Sequence, residues 1–211
     1  MTTKYFKTQP GRLAKTLSLV TIFAIATSSC ASQDRPFGER IVGVELTGVH
    51  HMGPSFKVDK FYVNTTYGGN VGFEGGGGRI TCCVDLPSTW RPGLTVTVRW
   101  GVSDWSHENM AETDIGNYRS VLPGGRYRAQ IPVEKYDDAE HVYVHFFAGG
   151  RARVVASMAG PGKYHPIAED DPHAVELATA GTRVAQLFTE EELAEMRRKA
   201  DADRKRFGDW R

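Results

Sequence analysis

Between residues 41 and 157 the chain is dominated by short runs in which apolar and polar side chains alternate with a period of two, the pattern of strands with one face buried and one face wet. Leu94 to Trp100 states it most clearly. Leu94, Val96, Val98 and Trp100 take one face, and Thr95, Thr97 and Arg99 take the other. Ile41 to Gly48 sets Val42, Val44 and Leu46 against Gly43, Glu45 and Thr47, and Phe56 to Val63 sets Phe56, Val58 and Tyr62 against Lys57 and Asp59. Further strands are expected at Arg79 to Val84, Tyr127 to Val133, His141 to Phe147 and Arg151 to Ser157, separated by turn signals such as Pro123-Gly124-Gly125 and Gly149-Gly150. About seven antiparallel strands at this spacing predict a mainly β fold, a single β-sandwich-like domain over residues 41–162.

The pattern changes after Gly162, and residues 163–211 read as a helical C-terminal arm. Asp171-Pro172 is a helix start signal, and Thr189-Glu190-Glu191-Glu192 is a capping box opening a helix from Glu190 to about Phe207. Leu193 and Met196 are its main apolar residues, among seven acidic and seven basic residues from Glu190 to Arg211, so a solvated or partner-facing helix is expected.

The first 29 residues form a different kind of segment. Lys4, Lys7, Arg12 and Lys15 stand before the ten-residue apolar run Leu17 to Ala26, with no acidic residue. That run is half the roughly 20 residues a bilayer-spanning helix needs, so it reads as a signal peptide. Ala26-Thr27-Ser28-Ser29-Cys30 resembles a lipobox, in which small residues precede a cysteine that is lipidated and becomes the mature N-terminus, although Thr27 stands where leucine is usual. Ordinary cleavage after Ala31 is the competing reading. Residues 1–29 are thus a lipoprotein signal peptide and 30–40 a tether, with Cys30 the lipidation site. Ala31 lacks the aspartate signal for inner-membrane retention, so the periplasmic face of the outer membrane is the expected address.

Removal of residues 1–29 leaves 22 Lys and Arg against 25 Asp and Glu, a net charge of −3. A mildly acidic chain gives no electrostatic reason to expect nucleic acid. Cys82 and Cys83 are then the remaining cysteines, in an oxidising compartment. They are adjacent, so either they lie on opposite faces of a strand, one in the core and one near the surface, or they form a vicinal disulfide in a distorted turn.

Tests for chemistry return little. Tyr67 to Gly78 holds seven glycines but no G-x-G-x-x-G opening a helix and no G-K-[ST], so a turn or close-packed loop is expected instead of a phosphate site. His141 and His145 lie on a predicted strand about 13 Å apart and cannot grip one ion together. His50-His51 lack the usual short-spaced zinc partners. Ser103, in Gly101-Val102-Ser103-Asp104-Trp105, lacks the second glycine of a nucleophile elbow. No catalytic residue, metal site or cofactor is therefore assigned, no small-molecule substrate is expected, and the chain is read as a non-enzyme. Trp90 and Trp105 flank turns and are candidate partner-binding anchors, with core packing as the alternative.

Gly75 to Leu94, with its glycine-rich loop, Cys82-Cys83, Leu86-Pro87 and Trp90-Arg91-Pro92-Gly93, continuing to Trp100, resembles the bacterial family known as domain of unknown function 3304. Val144-His145-Phe146-Phe147 is similar to its later strand. The likeness runs from about Ile41 to Ser157 and leaves out the C-terminal arm. Members of that family look like envelope lipoproteins often encoded beside type VI secretion lipase effectors. The resemblance implies an immunity protein that binds and inhibits a phospholipase effector; a structural or interaction lipoprotein of the envelope with no toxin partner is the alternative.

Lipidation at Cys30 has a direct check. Wild-type protein is expected to incorporate a fatty-acid analogue and to sediment with membranes, whereas Cys30→Ala should do neither. An unlabelled wild-type chain beginning at Ser32 would show ordinary cleavage instead.

Overall fold

The computed structural model describes residues 40–73, 75, 80–162, 164–168 and 171–208. The segment expected to be a signal peptide, Cys30 and almost all of the expected tether lie outside the described residues. The elements run β1 (Ile41–His50), β2 (Phe56–Val63), β3 (Thr66–Val71), β4 (Thr81–Pro87), β5 (Thr95–Asp104), α1 (Met110–Thr113), β6 (Leu122–Pro132), β7 (His141–Phe147), β8 (Arg151–Ala156), β9 (Thr179–Ala180), β10 (Thr182–Arg183) and α2 (Glu190–Phe207).

Two five-stranded sheets face each other, in the orders β4-β1-β7-β8-β9 and β10-β6-β5-β2-β3. The fold is mainly β and sandwich-like, as the alternation predicts, with one helix of consequence at the C-terminus. Two details differ. There are ten strands where about seven were expected, and the first sheet is mixed, because β1 and β7 run parallel with Glu45 opposite His141 and Val49 opposite His145.

The extra strands have physical reasons. Half of the glycine-rich run is the edge strand β3, paired with β2, although glycine is a poor strand former. The Phe61 ring fills the space above Gly68 where any side chain would collide with it. The two-residue strands β9 and β10 pair with β8 and β6, so the chain steps from one sheet to the other at Gly181. A side chain there would run into the Trp100 ring, 2.5 Å from where its Cβ would sit.

The inward faces meet in one apolar core. Val96, Val98, Trp100 and Val102 of β5 face it together with Val58, Phe61 and Val63 of β2, opposite Val44, Leu46, Val142, Val144, Phe146 and Val154. Phe146 reaches across from the first sheet, its ring centroid 5.2 Å from Phe61 and 5.8 Å from Trp100. Such aromatic clusters add to the burial of their area.

The first sheet also buries its outer face. A second cluster joins Val49, Tyr143, Phe147 and Val155 to Ile167, Ala174 and Ala178 from the irregular stretch that follows β8, here called the strap. Asp171-Pro172 does not start a helix. Instead the N–H groups of Ala174, Glu176 and Ala178 donate to the carbonyls three positions back, those of Asp171, His173 and Val175, as consecutive turns. The carbonyls of Ala174 and Ala178, which a helix would use, accept from the Arg153 and Arg151 guanidinium groups.

The capping box at Thr189 is complete: Thr189 Oγ1 accepts from Glu192 N–H, and the Glu192 carboxylate accepts from Thr189 N–H. The helix it opens, α2, buries no residue and is attached at its first turn, where Glu192 pairs with Arg99 at 2.7 Å and Arg128 at 3.2 Å. Among the described residues no helix is long and apolar enough to cross a membrane.

Val96 is 3% exposed and faces the core, while its neighbour Thr95 faces solvent. Val96→Asp is expected to destabilise the domain by at least about 3 kcal/mol through an unpaired buried charge, and Thr95→Asp by less than about 1 kcal/mol. Denaturant midpoints of the two variants check this, and equal midpoints would contradict the inward assignment.

Candidate functional site

One end of the sandwich gathers the polar chemistry. There β1, β3, β5 and β7 finish and β2, β4, β6 and β8 begin, as the registers Leu46 with Thr81, Phe56 with Asp104, Leu122 with Asp104, and Phe147 with Arg151 require. The opposite end receives the chain at Arg40, whose carbonyl accepts from Ser88 N–H. The first end holds a cavity of about 380 Å3 walled by Val49, Phe73 and Ile167, with His50, His51 and His145 as its polar groups.

Consecutive residues on a strand point to opposite faces, and this splits the histidine pair. His50 turns toward the end of β3, where its Nε2 lies 2.5 Å from the Gly72 carbonyl. His51 turns outward, stacked 4.7 Å from Phe147 and 5.2 Å from His145. A chain of imidazoles follows. His51 Nε2 lies 2.9 Å from His145 Nδ1, His145 Nε2 lies 2.8 Å from His165 Nε2, and His165 Nδ1 lies 2.8 Å from the Ala159 carbonyl.

The carbonyl fixes the direction of the chain because it can only accept. His165 therefore donates from Nδ1 and accepts at Nε2, so His145 donates from Nε2 and accepts at Nδ1 from the Nε2–H of His51. Each of these bonds requires a neutral acceptor ring. Burial is the main force holding His145 in that state, and with the neighbouring His165, His51 and Arg153 it pushes the pKa down to about 2. His165 is lowered too, by burial first and by His141, against the opposing effects of the Ala159 bond and Glu134. His50 is lowered by burial, against its bond to Gly72.

This geometry does not make a single-ion metal centre. His145 faces its two partners through different nitrogens, so one ion cannot reach all three rings. His141, at the other end of β7, is engaged by Thr47 at 2.8 Å and Glu45 at 3.2 Å. Among the described residues no group of three or more His, Cys, Asp or Glu side chains is arranged to hold a metal ion.

Phe73 connects the cavity to a second polar feature at the same end. Lys57 Nζ lies over the Phe73 ring at 3.5 Å and the Trp105 ring at 3.7 Å, and those two rings meet edge to face. Desolvation there lowers the lysine pKa, with Glu108 and Asp59 acting the other way. Beneath the stack, Trp105 Nε1–H donates to Ser103 Oγ at 2.8 Å, and Ser103 donates to Asp59 at 2.5 Å. Ser103 is thus a buried structural link, with no histidine bonded to it among the described contacts.

From Trp105 the chain makes a built excursion before β6. Trp105 N–H bonds Ser55, Asn109 caps α1, and Ser120 Oγ accepts from Asn109 N–H. Its apolar side chains nevertheless face water: Met110 is 71% exposed, Ile115 81% and Tyr118 56%. Glu108, Glu112, Asp114 and Arg119 are interspersed with them along the chain.

The two tryptophans singled out from sequence are at opposite ends. Trp105 belongs to the excursion, whereas Trp90 packs against the main core and donates to the Val133 carbonyl at 2.8 Å. Cys82 and Cys83 lie on the edge strand β4, joined as a vicinal disulfide, Cys82 exposed and Cys83 half-buried. They touch neither the cavity nor the excursion. Sequence reasoning missed the imidazole chain because its members come from three separate segments; the one signal available was a buried-strand pattern, Val142 to Phe147, that contains a histidine.

Ser103→Ala removes the acceptor of Trp105 and the donor to Asp59. A loss of about 1–3 kcal/mol in stability is expected, with a red shift in tryptophan emission. Unchanged emission would mean that the stack holds Trp105 without this link.

Residues 53–154 match the family described as a protein of unknown function (DUF3304), a span from just before β2 to within β8. No curated protein and no solved structure matches the chain. The matched span takes in the excursion, the cysteine pair, Trp90 and most of the sandwich, while the strap and α2 lie outside it. Residues 53–154 are thus the part of this chain that is similar to the DUF3304 family.

Proposed function

We propose that the protein is a periplasm-facing lipoprotein that acts by binding another protein, as an immunity protein that occludes a phospholipase effector of a type VI secretion system. The observation that carries the binding reading is the excursion at residues 105–121. A segment ordered by its own hydrogen bonds exposes Met110, Ile115 and Tyr118 together with Leu122, and an apolar patch of that kind on a polar sandwich marks a protein contact. Glu108, Asp114 and Arg119, all exposed in the same segment, supply charged groups of both signs beside the apolar side chains for matching a partner.

The identity of the partner rests on the family resemblance, and two physical points are compatible with it. Arg40, the first described residue, lies at the end of the sandwich remote from the excursion, which leaves the excursion clear of the chain's entry into the domain. Tethering also raises the inhibitor's concentration at the membrane that a lipase would attack. Occlusion needs no catalysis, only an interface of at least about 1,000 Å2 with a central anchor.

The test is co-expression with a type VI secretion phospholipase effector from the same host, directed to the periplasm. Wild-type protein should protect cells and form a complex with the purified lipase. Ile115→Asp combined with Tyr118→Asp should keep the wild-type melting temperature, weaken binding by at least about 2 kcal/mol and abolish protection. Death in the presence of wild type, with no complex between purified partners, would leave the general envelope-lipoprotein reading in place.

A further inference from the structure

The strap over the first sheet is fastened by two unlike kinds of contact. Its second half is held by arginine: Arg153 donates to the Ala174 carbonyl at 2.9 Å while bound to Glu134 at 2.7 and 3.0 Å, and Arg151 donates to Ala178. A guanidinium keeps its charge across the physiological range. Its first half, the described residues from 157 to 168, leaves the sheet at Ser157, whose N–H bonds the His141 carbonyl, has Ile167 as its apolar anchor, and is joined to the sheet further on by His165, which bonds His145 and through it His51. This half also walls the cavity, through Pro161, Gly162 and Ile167.

We propose that the first half of the strap is an acid-released latch, closed over the cavity while the imidazole chain is neutral and freed when a proton enters the chain. The stereochemistry is specific. A proton on His165 Nε2 puts two N–H donors face to face across 2.8 Å, and a proton on His145 Nδ1 does the same across 2.9 Å toward His51. The rings cannot turn, because His165 Nδ1 is committed to Ala159 and His145 is 1% exposed, and reversing the tautomers along the chain to His51 relieves the clash only by leaving a charge among buried rings. The surrounding charges are mixed. Arg153, His51 and His141 oppose protonation, Glu134 favours it at His165, and Tyr143 packs edge-on against His165 without a formal charge.

The sign follows from the lowered pKa values of His145 and His165. Open, these rings titrate near the ordinary 6.5; closed, they resist protonation. Stability of the closed strap is therefore fully present above about pH 6.5 and is lost as the pH falls below it. His145, held near 2 when closed, contributes about 30-fold to the opening equilibrium between pH 7.5 and pH 5.0, and His165 adds to it in the same direction. Opening removes Ile167 from the cavity wall and turns the cavity into a groove along β1 and β7. The device is independent of the immunity reading.

Hydrogen exchange of the mature protein, corrected for the intrinsic effect of pH, tests this. Protection of the described amides from 159 to 168 should fall at least about 30-fold between pH 7.5 and 5.0, while those from 174 to 178 hold. His165→Phe keeps an aromatic edge against Tyr143 and cannot titrate, so it should make that pH response measurably smaller than in wild type. Unchanged protection in the first half, equal loss in both halves, or a wild-type acid response in His165→Phe would each overturn the latch. The wild-type comparison stands even if the variant does not fold.

Discussion

Strand β7 is buried on both faces, and much of the domain is arranged around that constraint. Six of its seven residues are buried. Val142, Val144 and Phe146 face the core between the sheets, which one apolar face of a sandwich strand ordinarily does. Tyr143, His145 and Phe147 face outward, and they are covered as well, because the strap lies over them. An imidazole placed at the centre of such a strand has no water to bond, and leaving it unpaired would cost free energy. His145 is therefore supplied with partners on both sides, and both are imidazoles.

The same constraint explains features that otherwise look unrelated. The strap runs on from Asp171 as turns and not as a helix, with the carbonyls of Ala174 and Ala178 turned to the arginines of β8, whose outward face it covers. The cavity exists because the strap and the end of β3 meet around His50 and His51 without filling the space between them. The parallel pairing of β1 with β7 brings Val49 and His51 beside His145 and Phe147, which places three histidine-bearing segments within one hydrogen-bonded chain.

Much of the fold was legible in the alternation of apolar and polar residues. Where a strand has one wet face, as β5 does, the period of two names its inward residues, and Val96, Val98 and Trp100 are all in the core. The pattern fails where a strand is covered twice or not by its own sequence. His141 to Phe147 reads as a strand, but nothing local says that its outward face is dry. Thr66 to Val71 carries too little β propensity to be recognised; packing of Phe61 over its glycines makes it a strand. The excursion after Trp105 was marked only by Trp105 itself, since the exposure of Met110, Ile115 and Tyr118 is decided by what does not pack on them. Trp90 gave the same local signal and turned out to serve the core, because Val133 lies within reach of its indole nitrogen.

The most direct measurement of the doubly covered strand is nitrogen NMR of the histidine side chains, which reports protonation and tautomer ring by ring. At pH 6.0, where an exposed imidazole is substantially protonated, His145 should be neutral with its proton on Nε2 and His165 neutral with its proton on Nδ1. A His145 resonance that titrates near 6.5, or that carries its proton on Nδ1, would contradict the burial of β7 on both faces and the chain of imidazoles built on it.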